Sequence, residues 1–288
     1  MLKNGGMNVS KTYPIVLSIA GSDSSGGAGV QADLKTFSSL GVYGATVITA
    51  ITAQNTQGVR SQLALPAQIV YEQIMAVMED IRPSVVKIGM LSNAEIAHVV
   101  ADALGKYSIP IILDPVFIST SGHQLLSQEA LQVVKCRLLP MAELITPNIP
   151  EMQELTGLPL LSMEQKHEAA RYLFSLGAKA ILLKGGHEEG SEKTDILFQW
   201  SDEQMSAINF STQTISTRNV HGTGCTLSSA IAAYLARGYE LSAAVGAAKS
   251  YVFEAIKSGA EVRIGCGVGP VNHLFNPLRM LMYEKQEL

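Results

Sequence analysis

The 288-residue chain alternates compact apolar runs with longer amphipathic ones. "PIVLSIAG" (14–21), "SVVKIGML" (84–91), "IPIILDPV" (109–116) and "AILLKGG" (180–186) are short and rich in aliphatic and β-branched residues. Runs that are apolar on both faces predict buried strands. "GATVITAITAQ" (44–54) and "ELITPN" (143–148) read the same way. The segments between them repeat with a period near 3.6. In 28–41, Val30, Leu34, Phe37 and Leu40 fall on one helical face, and Gly41 supplies a stop. Further helices are predicted over 66–81, opened by Pro66, over 92–107 with Ser92 as N-cap, and over 127–140, 150–157 and 162–177. The alternation breaks over 194–217, where short strand-like pieces split by polar turns predict antiparallel strands at a sheet edge. Two helices, 223–237 and 241–258, follow.

This pattern predicts an α/β fold: a central, mostly parallel sheet with helices on both faces and a few antiparallel edge strands. Residues 13–288 contain no linker, repeat or low-complexity stretch and read as one domain. Residues 1–12 read as a flexible tail in which Met7 is an alternative start. Composition narrows the picture further. With 47% hydrophobic residues, 16% charged residues and a net charge of −4, there is ample material for a core and no basic block for nucleic acid. No apolar run approaches the roughly 18 residues of a membrane span. The tail lacks the apolar core of a secretory signal. Cys136, Cys225 and Cys266 are far apart and form no CxxC pair, so neither a disulfide framework nor a zinc site is expected. A reducing cytoplasm fits.

In α/β folds, ligands bind beyond the carboxyl ends of the strands. In this chain those ends read "GSDSSGGAG" (21–29), "TAQNTQG" (52–58), "KIGML" (87–91), "DPV" (114–116), "TPNIPE" (146–151), "KGGH" (184–187) and "HGTGC" (221–225). The last stands at a predicted helix start. Its glycines permit successive N–H groups to converge, and the helix terminus adds partial positive charge, which together make an anion site. An ordinary glycine-rich turn capped by Thr223 is the competing reading. Cys225 in the first turn has its thiolate favoured by the helix dipole; a small buried hydrophobe is the alternative. Asp114, Asn148 and Glu151 put hard oxygen donors on neighbouring strand ends, which suits Mg²⁺, although a turn and a helix cap explain them too. Lys184 leaves a buried strand and is best matched to a phosphate. Gln54 offers a donor and an acceptor side by side, the complement of an aminopyrimidine edge, or else a turn cap. "GSDSSGGAG" is not a Walker A loop, and Asp33 beyond it reads as a solvated or capping residue.

Together these segments resemble the ribokinase-like superfamily. Within it they are most similar to the bacterial hydroxymethylpyrimidine/phosphomethylpyrimidine kinases, from "SIAGSDSSGGAGVQADLKTF" through "VITAITAQNT", "KIGML", "LDPV", "ITPNIPE" and "LLKGGH" to "HGTGCTLSSAIAA" and "GVGPV". The resemblance implies ATP-dependent phosphorylation of 4-amino-5-hydroxymethyl-2-methylpyrimidine and then of its monophosphate. It implies that Gln54 reads the ring edge and that Gly21, Ala28, Met90 and Val116 line the ring pocket. It places Asp114 and Glu151 at Mg²⁺. Asn148, Lys184 and Gly224 fall at ATP, and the backbone of Gly222, Thr223, Gly224 and Cys225 forms an anion hole. Sugar kinases of the superfamily carry an aspartate base where Cys225 stands. The implied partners are the small pyrimidine and ATP, with no nucleic acid or membrane, and a homodimer is the assembly entertained. Three other readings remain open: a pyridoxal-type kinase, a catalytically silent pyrimidine or nucleotide sensor, and a redox role for Cys225.

Overall fold

The computed structural model describes residues 10–117, 126–186, 190–201 and 204–285. In chain order the elements are β1 (Ser10–Thr12), β2 (Ile15–Asp23), α1 (Gly29–Ser39), β3 (Tyr43–Asn55), β4 (Gly58–Ala64), α2 (Ala67–Ala76), β5 (Val85–Ile88), α3 (Ala94–Leu104), β6 (Ile111–Leu113), α4 (Gln128–Val133), β7 (Leu144–Ile145), α5 (Ile149–Thr156), α6 (Met163–Ser175), β8 (Ala180–Leu183), β9 (Glu192–Ser201), β10 (Gln204–Gln213), α7 (Thr223–Ala236), α8 (Leu241–Gly259) and β11 (Tyr283–Lys285). Helices α2 and α4 each run on into a single π-helical turn, Val77–Ile81 and Val134–Leu138.

Among the described residues the main sheet has nine strands in the order β10-β9-β8-β7-β6-β5-β2-β3-β4. Strands β3, β2, β5, β6, β7 and β8 run parallel, while β4 at one edge and β9 at the other run against them and β10 pairs antiparallel with β9. The predicted fold class is therefore the one observed. Alternation within each strand serves two apolar layers. Leu17, Ile19, Val86, Ile88 and Ile145 meet α2, α3, α5 and α6, whereas Val16, Val85, Ile112, Leu144 and Leu182 meet α1, α7 and α8. Strand order reverses at β2, whose neighbours are β3 and β5. Such a switch point opens a crevice at the carboxyl ends of the strands.

The structure corrects several local expectations. The tail expected over 1–12 lies outside the described residues up to residue 9, and Ser10–Thr12 pairs with Tyr283–Lys285. The N-cap of α3 is Asn93, whose side chain accepts from the Ile96 N–H, while Ser92 takes φ 70°. The edge pieces merge into two ten-residue strands, Glu192–Ser201 and Gln204–Gln213. Strand β4 was not foreseen, because "GVRSQLA" is mostly exposed and lacks an apolar face. Asp33 is neither solvated nor a cap: it is fully buried and paired with Lys87 at 3.0 Å.

Candidate active site

The two glycine-rich loops meet at the β2 switch point. Gly222 caps α7 with φ 80°, a left-handed conformation that favours glycine. A Cβ on Gly222 would fall on the carbonyl of Gly27, so the close approach of the loops also excludes a side chain. Asp23, the last residue of β2, ties the loops together. Its carboxylate accepts from the N–H of Ser25 at 2.8 Å, the Ser25 hydroxyl at 2.9 Å and the N–H of Ala28 at 2.8 Å. His221 Nε2 lies 2.8 Å from the same carboxylate. Burial works against ionisation of Asp23, but the bonds from His221, Ser25 and Ala28 outweigh it and hold the pKa at about 2.

Lys184, directly after β8, is the centre of the polar cluster. Its Nζ lies 2.8 Å from Asp114 Oδ1 and 3.5 Å from Glu151 Oε2. Asp114 also accepts from Thr146 Oγ1 at 3.0 Å and from Ser228 Oγ on α7 at 3.1 Å. Burial opposes its charge, yet Lys184, Lys87 and the Thr146 hydroxyl lower its pKa below the usual carboxylate value. Glu151 and Asn148 form a capping box at the start of α5, with Glu151 Oε2 accepting from the Asn148 N–H at 2.7 Å and Asn148 Oδ1 accepting from the Glu151 N–H at 2.8 Å. The cap and the chemical reading thus coexist in one residue. Burial, aided by the charge of Asp114 and opposed by Lys184, pushes Glu151 up to about 7. Two buried carboxylates sharing one lysine leave an excess of negative charge that a cation relieves. The pair fits Mg²⁺, which takes one or two carboxylates together with phosphate oxygens and water.

Helix α7 points its N-terminus at this cluster. The first N–H groups of a helix have no acceptor within it. That of Thr223 turns back to the carbonyl of Val220 at 3.3 Å, so the donors that head the helix begin at Gly224. A Cβ on Gly224 would stand 3.6 Å from Lys184 Nζ and 4.0 Å from Asp114 Oδ2, in the space between the helix and the charged cluster. Cys225 is half-buried in the same first turn. The thiolate expected from the helix dipole does not dominate there. Burial outweighs the favourable charge of Lys87 and pushes the thiol up to about 11.

On the other side lies an apolar floor of Ala50, Met90 and Val116. Gly21 completes it, since a Cβ there would sit 3.0 Å from Met90 Sδ. Gln54, at the end of β3, accepts from Thr52 Oγ1 at 3.2 Å and has its Nε2 3.4 Å from His221 Nε2. Gln54, Gly21, Ala28, Met90, Val116, Asp114, Asn148, Glu151, Lys184, Gly222, Thr223, Gly224 and Cys225, the residues given a site role from the sequence, all line one cavity of ≈ 1410 Å³. Sequence reasoning missed Asp23 and His221, although both lie in motifs it singled out. It also missed an apolar group in the lining of the same cavity, Ile215, Val220, Leu227, Val252, Phe253 and Ile256. Those residues are scattered over a loop and two helices, with no motif to mark them.

A parallel α/β sheet with a switch-point cleft, a helix N-terminus and a lysine–carboxylate cluster defines a phosphotransferase acting on a small molecule. The comparison with known proteins is more specific. The sequence model of the family described as phosphomethylpyrimidine kinase matches residues 23–272, and the chain belongs to that family. It is 48% identical to the hydroxymethylpyrimidine/phosphomethylpyrimidine kinase of Rhizobium meliloti, over 90% of this chain and 96% of that protein. The crystal structure of the phosphomethylpyrimidine kinase of Clostridium difficile is 46% identical, with a TM-score of 0.72 over 84% of this chain and 99% of that one. The pyridoxal kinase of Staphylococcus aureus, solved with pyridoxal, has a TM-score of 0.82 at 32% identity, over 95% of this chain and all of that one (100%). The two measures rank these neighbours oppositely. Backbone shape is common to both activities, so side chains in the pocket carry the distinction.

Proposed function

We propose that the chain uses ATP to phosphorylate 4-amino-5-hydroxymethyl-2-methylpyrimidine to the monophosphate, and then the monophosphate to the diphosphate, within a single kinase domain spanning 13–288. The observation that carries this reading is the cavity of ≈ 1410 Å³ that joins Gln54 and the Met90–Val116 floor to the Lys184 cluster and the α7 N-terminus. The pyrimidine ring lies on that floor with its amino edge toward Gln54. Adenine occupies the slot of Val220, Val252 and Ile256, and the phosphates run between them. Lys184 and the N–H groups at the head of α7 take the charge of the transferring phosphoryl, whose transfer asks for positioning and charge stabilisation more than for covalent work. Asp114 and Glu151 would hold Mg²⁺, which would supply positive charge to the phosphates.

Cys225 assists loss of the substrate hydroxyl proton. With its pKa at about 11, only a small thiolate fraction is present near neutrality. A neutral thiol has a benefit: a fixed carboxylate at this place would repel the monophosphate. No helix among the described residues is long and apolar enough to cross a membrane, and a cytoplasmic setting supplies ATP and keeps thiols reduced. A homodimer is the assembly we would look for by light scattering.

The reading is tested by one coupled assay of ADP release with the pyrimidine, its monophosphate and pyridoxal. Both pyrimidines should be turned over, with kcat/KM for the pyrimidine exceeding that for pyridoxal. ADP release with pyridoxal alone would move the chain to the pyridoxal kinases. No pyrimidine-dependent release would make it a sensor.

A further inference from the structure

Strand β5 carries a lysine into the core. Lys87 is fully buried, and its Nζ lies 3.0 Å from both carboxylate oxygens of Asp33 on α1. It does not line the cleft. The surroundings are built around it. Parallel pairing sets Ser18 of β2 beside Lys87, and Ser18 Oγ donates to Asp33 Oδ2 at 2.5 Å. Ser229 of α7 donates to Asp33 Oδ1 at 2.6 Å. A Cβ on Gly89 would stand 3.0 Å from Lys87 Nζ, so the glycine of "KIGML" makes room for the ammonium.

Helices α1 and α7 face each other across this cluster in register. Asp33 and Gly29 are four residues apart on α1, and Ser229 and Cys225 are four apart on α7. Residues at this spacing share a helix face. Ser229 bonds Asp33, and one turn nearer the N-termini the same two faces carry Gly29 and Cys225. The thiol therefore sits at the heads of two helices, one turn from the buried ion pair.

We propose that Lys87 is a positioning residue for phosphoryl transfer, its charge fixed beneath the first turn of α7 by Asp33 so that Cys225 can surrender its proton. The proposal rests on the reading of Cys225 as a proton acceptor. A buried ion pair is a poor source of stability, since two apolar groups of similar shape do as well, so its retention here calls for another use. Four charged groups act on Cys225: Lys87 on β5, Asp33 on α1, Asp114 after β6 and Lys184 after β8. Lys87 is the largest influence favouring the thiolate. Asp33 and Asp114 oppose it by less, and burial opposes it most.

The test reads the thiol directly. In a Cys136→Ser, Cys266→Ser background, alkylation of Cys225 by iodoacetamide is followed by mass spectrometry from pH 7 to 10. Only the thiolate displaces iodide. Replacing the pair together, Lys87→Met with Asp33→Asn, avoids an unpaired buried charge. The thiol should then react roughly three- to tenfold more slowly at pH 9, as each unit of pKa is tenfold in thiolate. The kcat should fall in parallel, with KM for the pyrimidine retained. Unchanged or faster alkylation in the folded double variant would overturn the proposal. Should that variant not fold, Lys87→Met alone is read the same way, because the orphaned Asp33 takes up a proton. Alkylation that slows while Cys225→Ala keeps its kcat would uphold the influence of Lys87 on the thiol and defeat only the base reading.

Discussion

At the scale of single residues the site separates recognition from chemistry. Gln54 stands over the apolar floor and has no bond to the charged cluster, so its loss should be felt by the ring alone. Gln54→Leu leaves polar edge atoms of the pyrimidine unmatched, at roughly 1–3 kcal/mol each. Pyrimidine affinity measured by calorimetry should drop at least about tenfold, with ATP affinity barely changed; equal affinity for the pyrimidine would mean another residue reads the ring. Cys225 is the opposite case. Cys225→Ala should lower kcat by about 10²–10⁴ while KM moves little. A thiol with its pKa at about 11 also fixes the sign of a pH effect. The thiolate fraction rises about tenfold per pH unit below that value. The wild-type kcat should therefore climb from pH 7 to 9.5, and that of the Ala variant should stay flat. A flat wild-type profile would leave Cys225 as a packing residue. Cys225→Asp restores a carboxylate base but repels a phosphorylated substrate, so the ratio of first-step to second-step activity should rise.

At the scale of elements, the head of α7 is held from three directions: by the loop after β2, by Ser229 on Asp33, and by the segment after α8. Gly224→Val tests what the head does. The new side chain would project toward Lys184 and Asp114, at ordinary contact distance from both, into the path that the proposed reading gives the phosphoryl group. The fold should survive and kcat should fall by on the order of 10² or more; a folded variant with wild-type kcat would remove the loop from the mechanism. The segment after α8 contributes His273, which is buried, lies 3.0 Å from Thr226 Oγ1 and accepts the Tyr251 hydroxyl at its carbonyl, at 2.6 Å. Burial, with Lys35 and His221 adding to it, lowers its pKa to about 4. The unfolded chain takes up a proton near pH 6.5 that the folded chain refuses until about 4. The stability from neutral His273 is thus present above 6.5 and is lost as pH falls toward 4, by roughly 3 kcal/mol at most. Urea melts of His273→Gln should show a shallower loss over that window than wild type, and equal slopes would place the sensitivity elsewhere. The helices were legible from their 3.6-residue period and the buried strands from short aliphatic runs. Strand β4 and the Asn93 cap were not: an exposed edge strand is settled by its pairing with β3, and Ser92 and Asn93 are both capping residue types at adjacent positions.

At the scale of the molecule, the sheet converts sequence distance into proximity. Gln54, Lys184 and Cys225 lie far apart in the chain, and each stands at a strand end or helix start bordering one cleft. That much was readable, because parallel topology places every such end on one edge. The Asp33–Lys87 pair was not read. Its signal, a lysine inside a four-residue buried strand, was present but needed a partner from another helix to be understood. Nor was the apolar part of the cavity lining, since residues from α7, α8 and a loop carry no spacing in common. The cleft also constrains how two phosphorylations are managed. A further cavity among the described residues, ≈ 460 Å³ between 217–219 and 260–267, is lined by neither Gln54 nor any residue of the lysine–carboxylate cluster. On the proposed reading both substrates use the same floor, ring on Met90 and Val116, with the first phosphate moved aside to become the acceptor. The pyrimidine and its monophosphate should compete: each should raise the apparent KM of the other without lowering Vmax. Gln54→Leu should weaken both by a similar factor, because the same ring edge is read in each step. Noncompetitive inhibition, or a Gln54→Leu variant that loses only the first step, would require a second acceptor site and would separate the two activities on the protein.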